Sequence, residues 1–168
     1  MSLNSLTGVI PAGIGKFANI EALLLNDNLL TGTIPSGIGN SGQMSTIYLY
    51  GNSLTGSIPS SITKLSDTLL ELQLMNNFLT GKIPDLSSLD QLDKLWLQIN
   101  GLTGSLPTTL AGAAKLTSLK VQENYLSGSV PTQISSRNTL AVVFSPQNIP
   151  ELTAEEDAAM CTICAGTG

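Results

Sequence analysis

IEALLLNDNLLTGTIP, residues 20–35, contains the phrase LxxLxLxxNxLTGxIP, which the rest of the chain repeats or ends. Ile20, Leu23 and Leu25 occupy the inward positions of a short strand, because successive side chains of a strand point to opposite faces. Asn28 marks the turn that follows, and the TGTIP segment then leads the chain away from the strand. The phrase therefore predicts one coil of a repeat structure.

The turn asparagine recurs along the chain with an almost constant spacing. Successive copies lie 23 to 25 residues apart, and in the first six a glycine follows after four residues and a proline after seven. The copies are Asn4, Asn28, Asn52, Asn77, Asn100 and Asn124, with a degenerate seventh at Asn148. Independent secondary elements have no reason to keep such spacing, so the sequence predicts stacked coils of about 20–29 residues.

The chemistry of the phrase explains why the coils stack. Each coil has an apolar edge that it cannot bury alone, and parallel strands about 4.8 Å apart bury that edge against the next coil. An asparagine amide both donates and accepts hydrogen bonds, so a ladder of asparagines is predicted to satisfy backbone groups where the chain bends. That ladder consists of Asn28, Asn52, Asn77, Asn100 and Asn124.

The LTGxIP tail makes this phrase closely resemble the plant-type leucine-rich repeat, over nearly residues 1 to 140. The resemblance implies a curved, right-handed solenoid with a parallel sheet on its concave face and short 3-10 or irregular turns on its convex face. It also implies a second small sheet built from the TGxIP segments. Relatives of this type include receptor-like kinases, receptor-like proteins and polygalacturonase inhibitors, which implies signalling or defence at the cell surface or outside the cell. No signal peptide precedes Asn4, so an intracellular location stays open.

The phrase also divides the chain. Residues 1–150 are predicted to be one solenoid of about six repeats, with a partial first copy and a degenerate last copy interrupted by Pro146 and Pro150. Residues 151–168 are predicted to form an acidic C-terminal cap helix and tail, because Thr153 and Glu156 have the spacing of a capping box. The abrupt start indicates either a piece of a longer protein or a self-capping first half-coil. Its uncapped edge predicts self-association.

Composition argues against several classes of function. Of the net charge of −5, residues 151–168 carry −4, so the solenoid has no basic stripe for nucleic acid. Apolar runs are far shorter than the about 20 residues of a membrane span. The chain has no histidine and no catalytic motif, so we expect no enzyme activity, no cofactor and no metal. Cys161 and Cys164 form a CxxC, with a terminal disulfide or two cap thiols favoured over a redox or zinc site.

The outward positions of the concave strands remain available for binding. Tyr48, Tyr50 and Trp96 fall on these columns, which Val142, Phe144 and Pro146 are predicted to continue. Exposed aromatic residues among Gln and Lys are typical of interface hot spots, although cross-strand aromatics can also merely fit a pleated surface. The predicted binding residues are Leu24, Tyr48, Tyr50, Gln73, Met75, Trp96, Gln98, Lys120 and Gln122. We expect them to bind a protein or peptide, or else a glycan.

Two alternatives use other features of the repeat. Small hydroxyl side chains follow the asparagines in two columns, and such a ladder could order water as an ice-binding surface. The first column is Thr7, Thr31, Thr55, Thr80, Thr103 and Ser127, and the second is Val9, Thr33, Ser57, Lys82, Ser105 and Ser129. The other alternative is a structural or self-associating repeat scaffold, for which Trp96→Ala would change no binding partner.

Overall fold

The computed structural model describes residues 4–143, which form the predicted solenoid. We number its coils one to six by their turn asparagines, Asn4 to Asn124, and the last strand begins a seventh coil. The proposed C-terminal cap, residues 151–168, lies outside the described residues, as do Phe144, Cys161 and Cys164.

The larger sheet contains one short strand from each of coils two to seven. Its strands are β2 (Ala22–Leu24), β4 (Thr46–Tyr48), β6 (Glu71–Gln73), β8 (Lys94–Trp96), β10 (Ser118–Lys120) and β12 (Ala141–Val143). All neighbouring pairs are parallel, and the central residues align from Leu23 through Ile47 and Leu72 to Leu95. The LxL pattern thus produces the concave parallel sheet that the sequence predicts.

The second sheet is built from the segments after the turn asparagines, which confirms the prediction from the TGxIP phrase. Its strands are β1 (Thr7–Val9), β3 (Leu29–Thr31), β5 (Thr55–Gly56), β7 (Phe78–Lys82), β9 (Gly101–Gly104) and β11 (Tyr125–Leu126). A bridge between Thr33 and Thr55 joins the first two strands to the other four. A parallel ladder therefore follows the side of the solenoid from coil one to coil six.

Short helices on the convex side begin after the repeated proline. They are the 3-10 helices Ala12–Lys16, Ser36–Asn40, Ser60–Leu65 and Thr108–Gly112, and the single α-helical turn α1 (Thr132–Ser135). The proline stands just before each helix with extended backbone, which ends the preceding strand. Coil four is one residue shorter after Pro84 and has a turn here, in which the Ser87 amide donates to Asp85 Oδ1 at 3.0 Å.

One continuous apolar core runs through the stack from Ile10 to Leu140. Each of coils two to six adds leucines or isoleucines from both sheets and from the convex turn, where Ile38, Ile62 and Leu110 are almost fully buried. Leu86 is fully buried and closes the shorter coil four. The core is thin, so each coil depends on its two neighbours for burial.

The turn asparagines bond one coil to the next. Asn77 is buried, and its Nδ2 donates to the Leu49 carbonyl of the preceding coil at 3.0 Å and to its own coil at Leu74 and Met75. Its Oδ1 accepts from the Leu54 amide at 3.0 Å. Asn52, Asn100 and Asn124 make the same set of bonds, and Asn28 accepts from Leu6. The side chains thus supply partners for backbone groups that the bend leaves unpaired.

The last strand differs from the predicted register by one residue. Counting back from Asn148 places Val142 beside Ser118 on the outward column, but Val142 pairs with Leu119 and Val143 pairs with Lys120. The shift arises before the strand: Arg137 donates to the carbonyls of Ala113, Ala114 and Leu116, and Leu140 is buried directly before the strand starts. Val142 is therefore an inward residue, and Val143 is exposed where the prediction required an apolar inward side chain.

Candidate binding surface

The predicted binding residues lie together on the outer face of the larger sheet. Three columns run along it: the strand-start column (Ala22, Thr46, Glu71, Lys94, Ser118), the strand-end column (Leu24, Tyr48, Gln73, Trp96, Lys120) and the post-strand column (Asn26, Tyr50, Met75, Gln98, Gln122). Backbone bonds continue the ladder into the third column, since Asp27, Gly51, Asn76 and Ile99 donate to the carbonyls of Tyr50, Met75, Gln98 and Gln122. The strands thus arrange these side chains side by side over coils two to six.

A polar network joins three coils at the centre of this face. Glu71 forms an ion pair with Lys94 at 2.8 Å and accepts hydrogen bonds from the Tyr48 hydroxyl and, at 3.1 Å, from Gln73 Nε2. Glu71, Lys94 and Tyr48 are each partly exposed, so solvent screens the pair and the ion pair itself adds little stability. The network fixes the orientation of the Tyr48 ring and the Lys94 side chain.

The network shifts the pKa values of its members. The hydrogen bond to Glu71, together with partial burial, raises the pKa of Tyr48 to about 12. Partial burial would raise the pKa of Glu71, but the hydrogen bonds from Lys94 and Tyr48 outweigh it, so this pKa lies below its ordinary value. The bond to Glu71 raises the pKa of Lys94. All three groups therefore keep their usual charge states near neutral pH.

Trp96 is the centre of a second cluster. Lys120 Nζ lies 3.8 Å from the centroid of the Trp96 ring, a cation–π contact, and Trp96 Nε1 donates to Ser118 Oγ at 2.9 Å. Ser118 holds the indole N–H and Lys120 lies over the ring, so the ring is held in this orientation while remaining partly exposed. A rigid, partly exposed indole is a typical interface anchor.

Apolar side chains flank these two clusters. The rings of Tyr48 and Tyr50 lie 6.1 Å apart at an angle of 47°, and Met75 is half-buried in the same column as Tyr50. Leu24 is 57% exposed at the N-terminal side of the face. The face thus offers apolar area beside hydrogen-bonding groups over several coils.

The three predicted glutamines differ from simple surface residues. Gln73 is only 6% exposed, because its amide turns toward Glu71, so it supports the network and presents little surface of its own. Gln98 and Gln122 are half-buried neighbours, and the Oε1 atom of each is buried without a partner among the described residues. Each of these two side chains thus leaves one buried acceptor oxygen unsatisfied beneath the face.

Glu71, Lys94 and Ser118 are not among the binding residues that the sequence predicts. The structure gives each a contact with a predicted residue: Glu71 with Tyr48, and Ser118 with Trp96. The signal was available in the repeat spacing, because Glu71 and Lys94 carry opposite charges at the same position of adjacent coils.

The described residues contain no cluster of side chains that could hold a metal ion. Within residues 4–143, we also find no helix of the length and hydropathy that crossing a bilayer requires. In this part of the chain the main candidate site is thus the outer face of the larger sheet, which presents side chains suited to binding a ligand.

Comparison with known proteins supports this interpretation of the fold. The Leucine Rich Repeat family pattern matches residues 19–41 and 43–65. A chain of the BIR3–SERK2 complex from Arabidopsis thaliana is 31% identical, with a TM-score of 0.65 over 74% of this chain and 70% of that one. The Arabidopsis receptor kinase HAESA, solved with the peptide hormone IDA and the co-receptor SERK1, is 33% identical with a TM-score of 0.79 over 86% of this chain. No curated protein matches the sequence.

The matches to large receptors cover a small part of those receptors. The chain spans 25% of the HAESA chain, and 20% of the ectodomain of the plant membrane receptor kinase GASSHO1/SCHENGEN3 from Arabidopsis thaliana in complex with CASPARIAN STRIP INTEGRITY FACTOR 2. The GASSHO1/SCHENGEN3 match is 27% identical, with a TM-score of 0.73 over 84% of this chain. The shared part is the run of stacked coils.

Proposed function

This chain belongs to the leucine-rich repeat family, in its plant receptor-like form, and from that premise we propose that it is a non-catalytic module that recognises an extended peptide. The peptide lies across the outer face of the larger sheet and contacts Tyr48, Tyr50, Met75 and Trp96. HAESA, whose coils it resembles, was solved with a peptide hormone. We further propose that the chain acts at the cell surface or outside the cell, in signalling or defence, a proposal supported by its likeness to receptor ectodomains.

The observation that carries the proposal is the fixed Trp96 ring beside Lys120. The ring supplies apolar area in one orientation, so little side-chain entropy is lost when a ligand covers it. Around it, Lys120 and the amide nitrogens of Gln98 and Gln122 can donate, and Glu71 can accept. An extended peptide carries free amide and carbonyl groups along its length, so this mixture fits a peptide better than a purely apolar partner.

The test is selection from a random peptide library displayed on phage, using the folded protein as bait. We expect enrichment of peptides whose affinity falls by about 2 kcal/mol or more in Trp96→Ala, as for an interface hot spot. Phe17→Ala is the matched control, since Phe17 is also an exposed aromatic (60%) but follows the first convex helix. Peptides that bind Trp96→Ala as well as the parent protein would refute the site, and a glycan array tests the glycan alternative with the same variants.

The ice-binding alternative is weaker on the observed geometry. The hydroxyls of Thr31, Thr55 and Ser127 already donate to carbonyls of the preceding coil. Large exposed side chains, including Phe78, stand on the same sheet face and interrupt a flat hydroxyl surface. Thermal hysteresis in the purified protein would restore this alternative, and its absence would remove it.

We also propose that the chain associates with itself through coil one. Leu6 and Val9 are 49% and 62% exposed and lie on or next to strand β1, which has a described neighbour on one side only, and this supports association through that edge. Sedimentation over a concentration series measures it, and Val9→Lys is expected to weaken it. We also propose residues 151–168 as the cap of the other end, and the thiol content of Cys161 and Cys164 tests for the disulfide.

A further inference from the structure

The Asn–Gly step at residues 100–101 is a feature of the chain that the proposed function does not use. It occurs once in the sequence, and its asparagine belongs to the ladder that bonds one coil to the next. Asparagine is a chemically labile residue. It is especially prone to lose its side-chain amide before glycine, which has no side chain to hinder attack by its backbone nitrogen. The step therefore combines a structural residue with a reactive sequence.

The fold does not require glycine at position 101. Its φ lies outside the left-handed region in which glycine has an advantage. Gly101 pairs in register with the third residue after the preceding asparagine, and Phe78 and Tyr125 pair in the same way in their own coils. A Cβ on Gly101 would lie 3.1 Å from the Leu79 carbonyl oxygen, which is a tight contact but not an overlap. The same strand position thus accepts large side chains elsewhere in the stack.

Asn100 is also the least covered of the five ladder asparagines. The other four are 6% to 8% exposed, whereas Asn100 is only partly buried, so solvent reaches it in the folded chain. The residue before it, Ile99, has a φ of 57°, and this strain lowers the cost of opening the turn. In the closed turn hydrogen bonds hold the amide, so a reaction of this side chain proceeds from locally open states.

We propose that Asn100 is a site of spontaneous deamidation, which separates coil five from coil four. The Gly101 amide nitrogen loses its proton and bonds to Asn100 Cγ, and the side-chain nitrogen leaves with a proton as ammonia. Water then opens the cyclic imide at one of its carbonyl carbons. Opening at Cγ gives aspartate, and opening at the backbone carbonyl gives isoaspartate, in which the chain runs through Cγ. The net change is uptake of water and loss of ammonia, so no oxidant or reductant takes part.

The product reverses the hydrogen bonding at this point of the ladder. Asn100 Nδ2 donates to the Leu74 carbonyl of coil four at 3.0 Å and, within coil five, to the carbonyls of Leu97 and Gln98 at 3.1 and 3.4 Å. A carboxylate has no donor, so it presents negative charge to these carbonyl oxygens and leaves them without this partner. Isoaspartate in addition inserts a carbon into the backbone, which moves Gly101 out of register with coil four.

The break lies beneath the candidate binding surface. Coil four carries Glu71 and coil five carries Lys94, the two partners of the ion pair on that face. Trp96 lies in the strand of coil five, directly before Leu97. Opening between these coils separates the ion pair and divides the outer face of the larger sheet. Deamidation thus limits the lifetime of this face, and the inference does not depend on which ligand the face binds.

The test ages the whole folded chain at mildly alkaline pH in heavy-oxygen water and follows it by tryptic digestion and mass spectrometry. Cleavage after Lys94 and Lys115 releases residues 95–115, in which Asn100 is the only asparagine. We expect this peptide to lose ammonia, to gain one heavy oxygen atom and to separate into aspartate and isoaspartate forms. Asn77 and Asn124, which precede aromatic residues, should keep their amides over the same period.

Gly101→Leu is the matched control, because coil two has a leucine at the same position. It is expected to slow deamidation at least about tenfold by hindering the backbone nitrogen. Gly101→Ser, which copies coil three, serves where circular dichroism shows that leucine disturbs the fold. Trp96 is the only tryptophan, so its fluorescence reports on coil five. As the parent protein ages, we expect its emission to move to longer wavelength and its midpoint of urea unfolding to fall, while both stay constant in the control.

Three results would overturn the proposal. The first is an intact Asn100 amide after a period in which a synthetic peptide of residues 95–105 has deamidated, because the fold would then protect the step. The second is equal rates in the parent protein and Gly101→Leu, because Gly101 would then not be the cause. The third is deamidation of Asn100 without a change in Trp96 emission or unfolding midpoint, because this ladder bond would then not hold coils four and five together.

Discussion

At the scale of single residues, the turn before each asparagine requires an unusual backbone conformation. The residues at this position have positive φ: Asp27 (54°), Gly51 (64°) and Asn76 (54°) are types that tolerate it, and Glu123 (55°) is at least unbranched at Cβ. The fifth is Ile99 at 57°, a β-branched residue for which the left-handed region is strongly disfavoured. Ile99 is 43% exposed, so burial offsets little of this cost.

We therefore expect Ile99→Asn to raise the free energy of unfolding by about 1 kcal/mol, because asparagine adopts the left-handed conformation at lower cost. Denaturant unfolding measures the change. Ile99→Val is the control, since valine keeps the β-branch and the strain and should bring no gain. Equal stability of Ile99→Asn and the parent protein would show that the strain is not relieved.

A second residue-scale prediction concerns the Tyr48 hydroxyl. Its pKa is raised from 10.0 to about 12, chiefly by the hydrogen bond to Glu71. When folding raises the pKa of a group, the protonated group stabilises the folded state. This stabilisation is complete at pH values below the unfolded-state pKa, and it is lost as the pH rises through the folded-state pKa. The contribution of Tyr48 should thus disappear between pH 10.0 and about 12.

The difference in tyrosinate absorbance between the parent protein and Tyr48→Phe isolates the titration of this residue. Glu71→Gln removes the charge that opposes ionisation while keeping an acceptor near the hydroxyl, so it is expected to lower the pKa of Tyr48 toward 10.0. If the titration midpoint does not change in Glu71→Gln, Glu71 is not the cause of the shift.

At the scale of elements, the convex helices of the first three coils touch through glycine. A Cβ on Gly39 would lie 1.9 Å from the Ser61 carbonyl oxygen, and one on Gly15 would lie 1.9 Å from the Gly37 carbonyl oxygen. A Cβ on Gly13 would have no atom within 4 Å, because no coil is described on the outer side of this helix. The glycines thus set how closely neighbouring convex helices approach.

Gly39→Ala is expected to lower the free energy of unfolding by about 2 kcal/mol, since the helices of coils two and three must move apart. Gly13→Ala is the matched control, being a glycine-to-alanine change in the same type of helix. It should be neutral or stabilise by about 0.5 kcal/mol through the unfolded state. Thermal or urea unfolding of the two variants measures the difference. Similar free energies of unfolding for both variants would show that the glycines do not limit how closely the convex helices approach each other.

At the scale of the whole molecule, the parts that repeat once per coil were predictable from the sequence. The strands, the second sheet and the convex helices follow from the spacing of asparagine, glycine and proline, because each coil must fit its neighbours. The last strand was misassigned because its register was counted back from Asn148, whereas Arg137 and Leu140 determine where the strand starts. The contacts of Glu71 depend on which neighbouring side chain it meets, which a single repeat phrase does not specify.

The linear architecture also predicts unequal stability along the chain. A central coil is buried by neighbours on both sides, whereas in the described structure coil one has a neighbour only on the side of coil two. Its buried core is Ile10, while Leu6 and Val9 are 49% and 62% exposed. The first coil should therefore open in local events that leave the centre folded.

Two chemically equivalent amides allow a direct test. The Leu6 amide donates to Asn28 Oδ1 and the Leu54 amide donates to Asn77 Oδ1, both at 3.0 Å. Because the two bonds have the same length and kind of acceptor, a difference in native-state hydrogen exchange reports the opening of the coil and not the bond. We expect Leu6 to exchange at least about a hundredfold faster than Leu54. Equal protection would mean that coil one opens only with the whole stack, so that stability is shared along the entire solenoid and not supplied by nearest neighbours alone.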